Sequence, residues 1–514
     1  MLDVTSLSVA HVITACACVL ASLVLVVPLR SLQRKLRIAR GLAPLSGPKG
    51  VFLLGNIPLF IKNKTRIYDL LAELMEQYGG RMKMPWHLFF DGGIYISDPA
   101  DVEHILATNV NNYIKPNGLL DAYREIFEHS FFAMNHAHTP DNGASWKLQR
   151  KVAAKVFTTR NFKVYAEQLF HKVALTMVDD LEKQGNQCDM QELSAMYALE
   201  SVFVIAFGID MRTVVDPKVF GDKMDEVSAH CASRLLVRQY YKVLGWAMPS
   251  EYKLKRNTAE IRAIADKILQ DRLAESEEQL ADRYDILSLF IKKARELDED
   301  HASLLTPEAL RSIILTFIFA GRDTTAATIT HTFYMLARHP EIQERIASEL
   351  DELDTTAFSY DDMKNLRYLD AVVQESIRLY PALPYNVKHA VEDDHLPDGT
   401  FIPAGADIVY SPWYMGRHGA LWGKDPLVFR PERWLEMTTR PTAFQLPAFQ
   451  AGPRICIGMN MAILETKMFT AVMIKHFRVR IQDGDDVERK HLLKSNLYMK
   501  GGLPLTMTPV AKRA

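Results

Sequence analysis

The chain has 514 residues, of which 48% are hydrophobic and 24% charged, with 61 basic against 62 acidic side chains and five cysteines. The apolar fraction excludes a disordered chain, 25 Gly and 24 Pro exclude a collagen-like one, and so few cysteines exclude a disulfide scaffold. A formal net charge of -1 gives no overall basic field, so no nucleic-acid partner is expected, and length alone suggests about three domains.

Residues 4 to 29 contain no Asp, Glu, Lys or Arg. At about 1.5 Å per residue they make a helix of about 39 Å, long enough to cross a ~30 Å hydrocarbon layer with some tilt. Arg30, Arg34, Lys35, Arg37 and Arg40 follow, with no acid before Asp69. By the positive-inside bias this cluster leaves the body cytosolic. A cleaved signal peptide is the alternative, with Ala15-Cys16-Ala17 as its cleavage site, but the start carries Asp3 and the apolar run continues beyond that site. The expected organisation is a membrane anchor (1–29), a basic stop-transfer and Pro/Gly hinge (30–50) and one body (51–514). Pro44 and Pro48 bar helix continuation in the hinge.

In the body, helical periodicity dominates, for example over Phe162 to Glu182, Glu192 to Phe207 and Thr258 to Gln279. Short strand-like runs occur at Gly93 to Ser97, Lys388 to Val391, Thr400 to Pro403, Asp407 to Ser411 and Arg478 to Ile481. The fold class is mainly α with small antiparallel β-sheets. No further linker appears, which argues against three domains.

Thr306 is an N-cap candidate and Pro307 suits a first helical position; the apolar pattern then runs to Arg338-His339-Pro340. A helix of about 48 Å would cross a domain rather than lie on it. At its middle stands Ala320-Gly321-Arg322-Asp323-Thr324-Thr325. Gly321 costs about 1 kcal/mol against Ala in a helix interior. One reason for it is that a Thr hydroxyl bonding back to the carbonyl of Ala320 loosens the ladder beside it and opens a groove. An acid next to an alcohol in that groove can relay protons. The alternative is a kink with a solvated charge pair at Arg322 and Asp323.

Glu375 and Arg378 share a helix face, and Phe429-Arg430-Pro431-Glu432-Arg433-Trp434 offers Arg433 as a second partner in a structural network. His136-Ala137-His138 lies in a polar stretch and reads as a surface loop rather than a metal site. In Phe449-Gln450-Ala451-Gly452-Pro453-Arg454-Ile455-Cys456-Ile457-Gly458 a single Cys precedes an apolar helix. Helix N-H groups and Arg454 favour its thiolate. No second Cys or spaced His accompanies it, which disfavours zinc and suits an axial ligand of haem iron, with Arg454 on a propionate.

That loop resembles the cytochrome P450 pattern Phe-x-x-Gly-x-Arg-x-Cys-x-Gly at all five named positions, a match that chance gives about once in three million windows at roughly 5% per residue type. Ala-Gly-x-Asp-Thr-Thr at 320–325, Glu-x-x-Arg at 375–378, the Pro-Glu-Arg-Trp loop and Trp146-x-x-x-Arg150 accompany it in the family's order. The resemblance implies the P450 fold, haem b (iron protoporphyrin IX), O2 as co-substrate, and NADPH used through a separate reductase. No Gly-x-Gly-x-x-Gly follows a strand here, and Arg454, Lys147 and Lys151 offer positive charge for the reductase.

Carried over, Cys456 is the iron ligand and Phe449 and Gly458 belong to its loop. Asp323 and Thr324 organise proton delivery, and Trp146, Arg150 and Arg454 neutralise the propionates. Lys388 stands where relatives carry Arg or His. Glu375, Arg378 and Arg433 are structural. Pocket candidates are Phe317, Ala320, Leu383, Leu497 and Tyr498. Pro397 to Thr400, Tyr410-Ser411, Met415 to Arg417 and the Cys456 loop resemble the fatty-acid ω-hydroxylases of plants and fungi. Ala320 excludes the covalent haem link that a Glu makes in animal ω-hydroxylases. The expected enzyme sits in the endoplasmic reticulum membrane and hydroxylates a long-chain fatty acid at or near its end. The alternatives are oxidation of a sterol, another secondary metabolite or a xenobiotic, a haem-thiolate lipid-hydroperoxide isomerase or dehydratase, and a non-catalytic haem carrier.

Overall fold

The computed structural model describes residues 27–510 apart from 88, 89, 238–241, 243, 244, 246, 247, 298–301, 354–356, 485, 486 and 493. The expected membrane span thus falls outside the described residues except for its last three, which open helix α1 (Val27–Gly41). This helix is fastened to the body. Ile38 and Leu42 are buried with sheet residues Ile94, Ile408 and Tyr410. Lys35 donates to the carbonyl of His87 at 2.7 Å, and Arg34 and Lys35 both pair with Asp91. The basic cluster is therefore partly spent on holding α1 in place.

Helix α2 (Ala144–Ala154) is followed by a helical stretch from Thr159 to Lys183 with a π turn at Ala166–Phe170. Helix α3 (Met190–Phe207) starts at Asp189, whose carboxylate accepts from the Gln191 N-H, and stops at Gly208 in the left-handed region. Among the described residues it is the one helix long and apolar enough to cross a membrane, yet it is mostly buried against α6. Helices α4 (Pro217–Val237) and α5 (Pro249–Leu273) follow. The pattern expected to run from Thr258 to Gln279 is two helices, because Ser276 and Gln279 form a capping box that starts a new turn at Glu277.

Helix α6 (Pro307–Arg338) has the expected 32 residues, with Thr306 accepting from the Ala309 N-H and Pro307 in the first turn. It is buried along most of its length because apolar side chains surround it. Its ladder is unbroken at Gly321. A Cβ there would lie 2.8 Å from Val202 Cγ2, so glycine lets α3 and α6 approach closely instead of opening a groove. Helices α7 (Arg367–Leu379) and α8 (Met459–His476) complete the helical body.

Strands β1 (Met82–Met84), β2 (Gly93–Ile96), β3 (Tyr113–Ile114), β4 (Asn386–Ala390) and β5 (Asp407–Tyr410) form a sheet of order β1-β2-β5-β4-β3. Its pairs are antiparallel except β2 with β5, where Ile94 faces Ile408 in parallel register. The runs at Gln187–Asp189, Phe477–Ile481 and Pro504–Pro509 make a second, antiparallel sheet. A hairpin of β6 (His491–Leu492) and β7 (Tyr498–Met499) reaches back to α6 through Asn496.

Candidate active site

Cys456 in its loop and Ala320, which stands between buried Phe319 and half-buried Gly321 on α6, both carry accessible surface. Phe157 joins the two segments, its ring 6.2 Å from that of Phe317 and its edge 3.8 Å from where Gly458 would carry a Cβ.

The cysteine loop is built on backbone bonds. The Cys456 N-H donates to Phe449 O at 2.8 Å, and Ile455 N-H donates to Gly452 O at 3.0 Å. Gly452 lies at φ +62, and a Cβ there would sit 2.0 Å from the carbonyl oxygen of Leu106, so no other residue fits. Burial pushes the Cys456 thiol up, while the Gly458 N-H and the Arg150 charge pull it down. The protein alone therefore does not favour the thiolate; a bound metal cation would. The nearby cation is Arg150, which donates to Ile455 O at 2.7 Å. Arg454 is turned elsewhere, with Nε on His136 Nδ1 at 3.0 Å and Nη2 on Met134 O at 2.6 Å.

His136 is consequently buried and part of the site, contrary to the surface-loop reading. Its Nε2 donates to Val110 O at 3.0 Å, and burial and Arg454 hold its pKa at about 4, so it is neutral. The neighbouring His138 remains on the surface beside Asn111 O.

Four cations face one another here without a carboxylate partner among the described residues: Lys115, Arg150, Lys388 and Arg454. Burial and Arg454 bring Lys388, which is 3% exposed on β4, down to about 7. Burial, then Arg150, brings Arg454 to about 10. Lys115 is depressed by burial and by the other three, and its Nζ finds only Phe132 O and the Phe132 ring. Trp146 lies between Arg150 and Arg454, 5.5 and 4.9 Å from its ring, and its buried Nε1 has no partner. Unpaired cations, an orphan indole N-H and an enclosed thiol fit a dianionic prosthetic group that carries a metal. Lys115 and His136 were missed by the sequence reading; a lone Lys before Pro116 has no pattern to mark it.

On α6 the Thr324 hydroxyl donates to Ala320 O at 2.7 Å. Asp323 accepts from Arg322 at 2.8 Å and Ser228 at 3.2 Å, and burial raises its pKa. Phe317 packs on Phe131, and Leu383 stays partly open between α7 and β4. Leu497 is buried, with its N-H donating to Ala382 O at 2.8 Å beside Leu383, and it and Tyr498 also line a polar cleft with Asp323.

On α7, Arg378 is bidentate to Glu375 at 2.6 and 2.7 Å, and both are fully buried. Glu375 also accepts from Trp434 Nε1 at 2.8 Å and from the Arg430 N-H at 3.0 Å. Arg433 is 3.5 Å from it and donates mainly to Trp422 O and Asp425 O. Their hydrogen bonds are spent on one another and on the 416–434 segment, so these groups are structural.

An enclosed thiol, a ring of unpaired cations and an acid and alcohol on a through-running helix define a haem-thiolate class of site. The Cytochrome P450 family model matches residues 45–502, and the chain belongs to that family. It is 31% identical to Cytochrome P450 704B1 of Arabidopsis thaliana, over 90% of this chain and 95% of that one. It is also 31% identical to Cytochrome P450 CYP94D109 of Paris polyphylla, over 81% and 85%, and 28% identical to Cytochrome P450 94A1 of Vicia sativa, over 90% of each. The chain is therefore a monooxygenase, an oxidoreductase that uses haem iron and O2 with electrons from a redox partner.

Proposed function

We propose that this monooxygenase hydroxylates a long-chain fatty acid at or near its terminal carbon. The observation that carries the reaction class is the Ala320–Thr324 step on α6, linked to the Cys456 loop through Phe317, Phe157 and Gly458. Haem b, when bound, would supply the iron that activates O2, and the Cys456 thiolate would hold that iron. Trp146, Arg150, Arg454, Lys388 and Lys115 hold its carboxylates; Arg150 also steadies Ile455, and His136 orients Arg454. The Thr324 hydroxyl, with Ala320 O as its acceptor, keeps its lone pairs for a water, and Asp323 supplies that water with protons. Phe317, Ala320 and Leu383 form apolar walls that exclude other water and admit a hydrocarbon chain.

The fatty-acid assignment rests on the resemblance of the 397–417 and 449–458 segments to ω-hydroxylases. NADPH reaches the site through a cytochrome P450 reductase on the Cys456 face. A place at the endoplasmic reticulum membrane, with residues 4–29 as the span, is supported by an apolar tip at residues 51–54, where Phe52 is 80% exposed, followed further along the chain by Lys62 and Lys64. The test is a titration of fatty acids of graded length against the Soret band, followed by product analysis with reductase and NADPH. Fatty acids should shift the band and yield terminal or near-terminal alcohols. A shift with a sterol and with no fatty acid overturns the substrate.

A further inference from the structure

Gln450 occupies a backbone conformation that belongs to glycine. Its φ is +63 and its ψ -173, a region that residues with a Cβ enter only where the surroundings force them, and such strain collects at functional sites. The surroundings here are a cross-strand pair. Tyr410 donates its phenol hydrogen to Gln450 Oε1, and Gln450 Nε2 donates to Asn386 Oδ1. Asn386 and Tyr410 face each other across β4 and β5, so one amide ties both strands. Burial keeps Tyr410 a neutral phenol and hence a donor. The backbone is bonded as well: Gln450 N-H donates to Pro447 O at 3.1 Å, and Phe449 O, in the same peptide group, accepts the Cys456 N-H at 2.8 Å. Ala451 packs with Leu106, Ile408 and Tyr410, which lays the loop against this face of the sheet. Lys388 stands two residues after Asn386 on the same face, where the charge of Arg454 from the loop acts on it.

We infer that Gln450 is a positioning residue, a brace that sets the spacing between Cys456 on its loop and Lys388 on the sheet. The inference rests on the assignment of Cys456 to haem iron and of Lys388 to a haem carboxylate. A rigid prosthetic group held at both points demands one separation between the sulfur and the ammonium. Apolar packing alone would let the loop slide along the sheet. One amide that accepts from Tyr410 and donates to Asn386 fixes the register, because a slip breaks both bonds at once. The strained backbone makes the brace matter to the thiolate. Without its ties the residue at 450 would relax towards an ordinary φ. The Phe449–Gln450 peptide group would turn with it and draw Phe449 O away from the Cys456 N-H.

The test reads the sulfur in the full-chain holoenzyme, as the rate at which gentle warming turns the thiolate-type spectrum of the reduced carbon monoxide complex into a thiol-type one. Gln450→Ala loses both ties and keeps the strain, so its conversion should be about tenfold faster than that of the original. Gln450→Gly has no strain to release and should be slower than Gln450→Ala. Tyr410→Phe, which cuts one tie and keeps the ring, should also fall between the original and Gln450→Ala. Gln450→Glu should convert at the original rate, because Asn386 has a free Nδ2 to turn towards the new carboxylate. Haem transfer to a scavenger protein reads the other end: Gln450→Ala and Lys388→Ala should each speed it, and together by less than the product of the two factors. Unchanged conversion in Gln450→Ala, conversion in Gln450→Glu as fast as in Gln450→Ala, or independent effects on haem transfer overturn the brace. A thiolate-type spectrum that survives Cys456→Ser discards the ligand assignment, and the brace with it.

Discussion

Lys388 shows how a single residue reports on the missing charge around it. Its ammonium falls from an ordinary 10.5 to about 7 through burial, then Arg454. A lysine depressed on folding binds fewer protons folded than unfolded, so the haem-free protein gains stability as pH rises from about 7 towards 10.5. A carboxylate docked at Nζ reverses the shift, and docking then takes up a proton above about pH 7. Haem affinity of the apoprotein should therefore weaken above that pH by up to about tenfold per unit through Lys388, and Lys115, also depressed by burial, adds a slope of the same sign. Lys388→Arg should keep the affinity and remove one of the two slopes. Haem titrations at pH values either side of 7 measure it, and a slope unchanged in Lys388→Arg would place the propionate elsewhere. Trp146 allows a cleaner deletion, because its Nε1 has no protein partner to lose. Trp146→Phe should leave the thermal midpoint of the apoprotein near its original value and speed haem loss about ten- to a hundredfold, the effect of a charge-assisted hydrogen bond of about 1.5–3 kcal/mol. Haem transfer to an excess of scavenger protein gives that rate.

Among the elements, α6 was legible from sequence alone and its central glycine was not. Thr306, Pro307 and the Arg338-His339-Pro340 stop are local signals, and local signals set helix ends. The reason for Gly321 is Val202 on α3, far away in the chain. His136 was misread for the same cause, since Val110 and Arg454 make it a buried residue. Strands of two or three residues, such as β3 and β7, are too short to display alternation. The shape of the Cys456 segment, a turn-rich loop before an apolar helix, was by contrast legible because its demands are local, Gly452 accepting a positive φ and Cys456 returning its N-H to Phe449, whereas the turn of Arg454 towards His136 was not. The contact with Val202 has a measurable consequence. Gly321→Ala would gain up to about 1 kcal/mol of helix propensity but force a methyl against Val202, an overpacking cost of about 1–3 kcal/mol. The single variant should be neutral to destabilised by about 2 kcal/mol. The double variant with Val202→Ala should recover more than additivity allows, as a thermal-unfolding cycle would read.

For the whole molecule, the proposed membrane attachment raises the question of how a chain with a net charge of -1 would sit on a bilayer. The basic residues of α1 do not all face lipid, since Lys35, Arg34 and Arg37 are engaged by His87 O, Asp91 and Asp393. What α1 leaves open is supplied further on. The turn closed by the Val51–Gly55 bridge projects Phe52, and Leu53 adopts φ +60, a conformation that a β-branched or bulky side chain avoids unless the turn has a use. Ile61, 66% exposed on the following short helix, is a further exposed apolar residue, and Lys62 and Lys64 follow it in sequence, while Arg66 is paired with Glu73. Fully burying Phe52 in hydrocarbon would contribute about 1.5–3 kcal/mol and each rim cation about 1 kcal/mol on an anionic surface. A second contact of this kind would fix the tilt of the body on its anchor, which a single span leaves free to swivel. In the full chain reconstituted in vesicles, Phe52→Trp should therefore add an indole emission that brominated lipids quench, measured as a difference from the unsubstituted protein. A residue facing water gives an added emission that brominated lipids leave untouched and aqueous iodide quenches, and that outcome would leave the body held by its anchor alone.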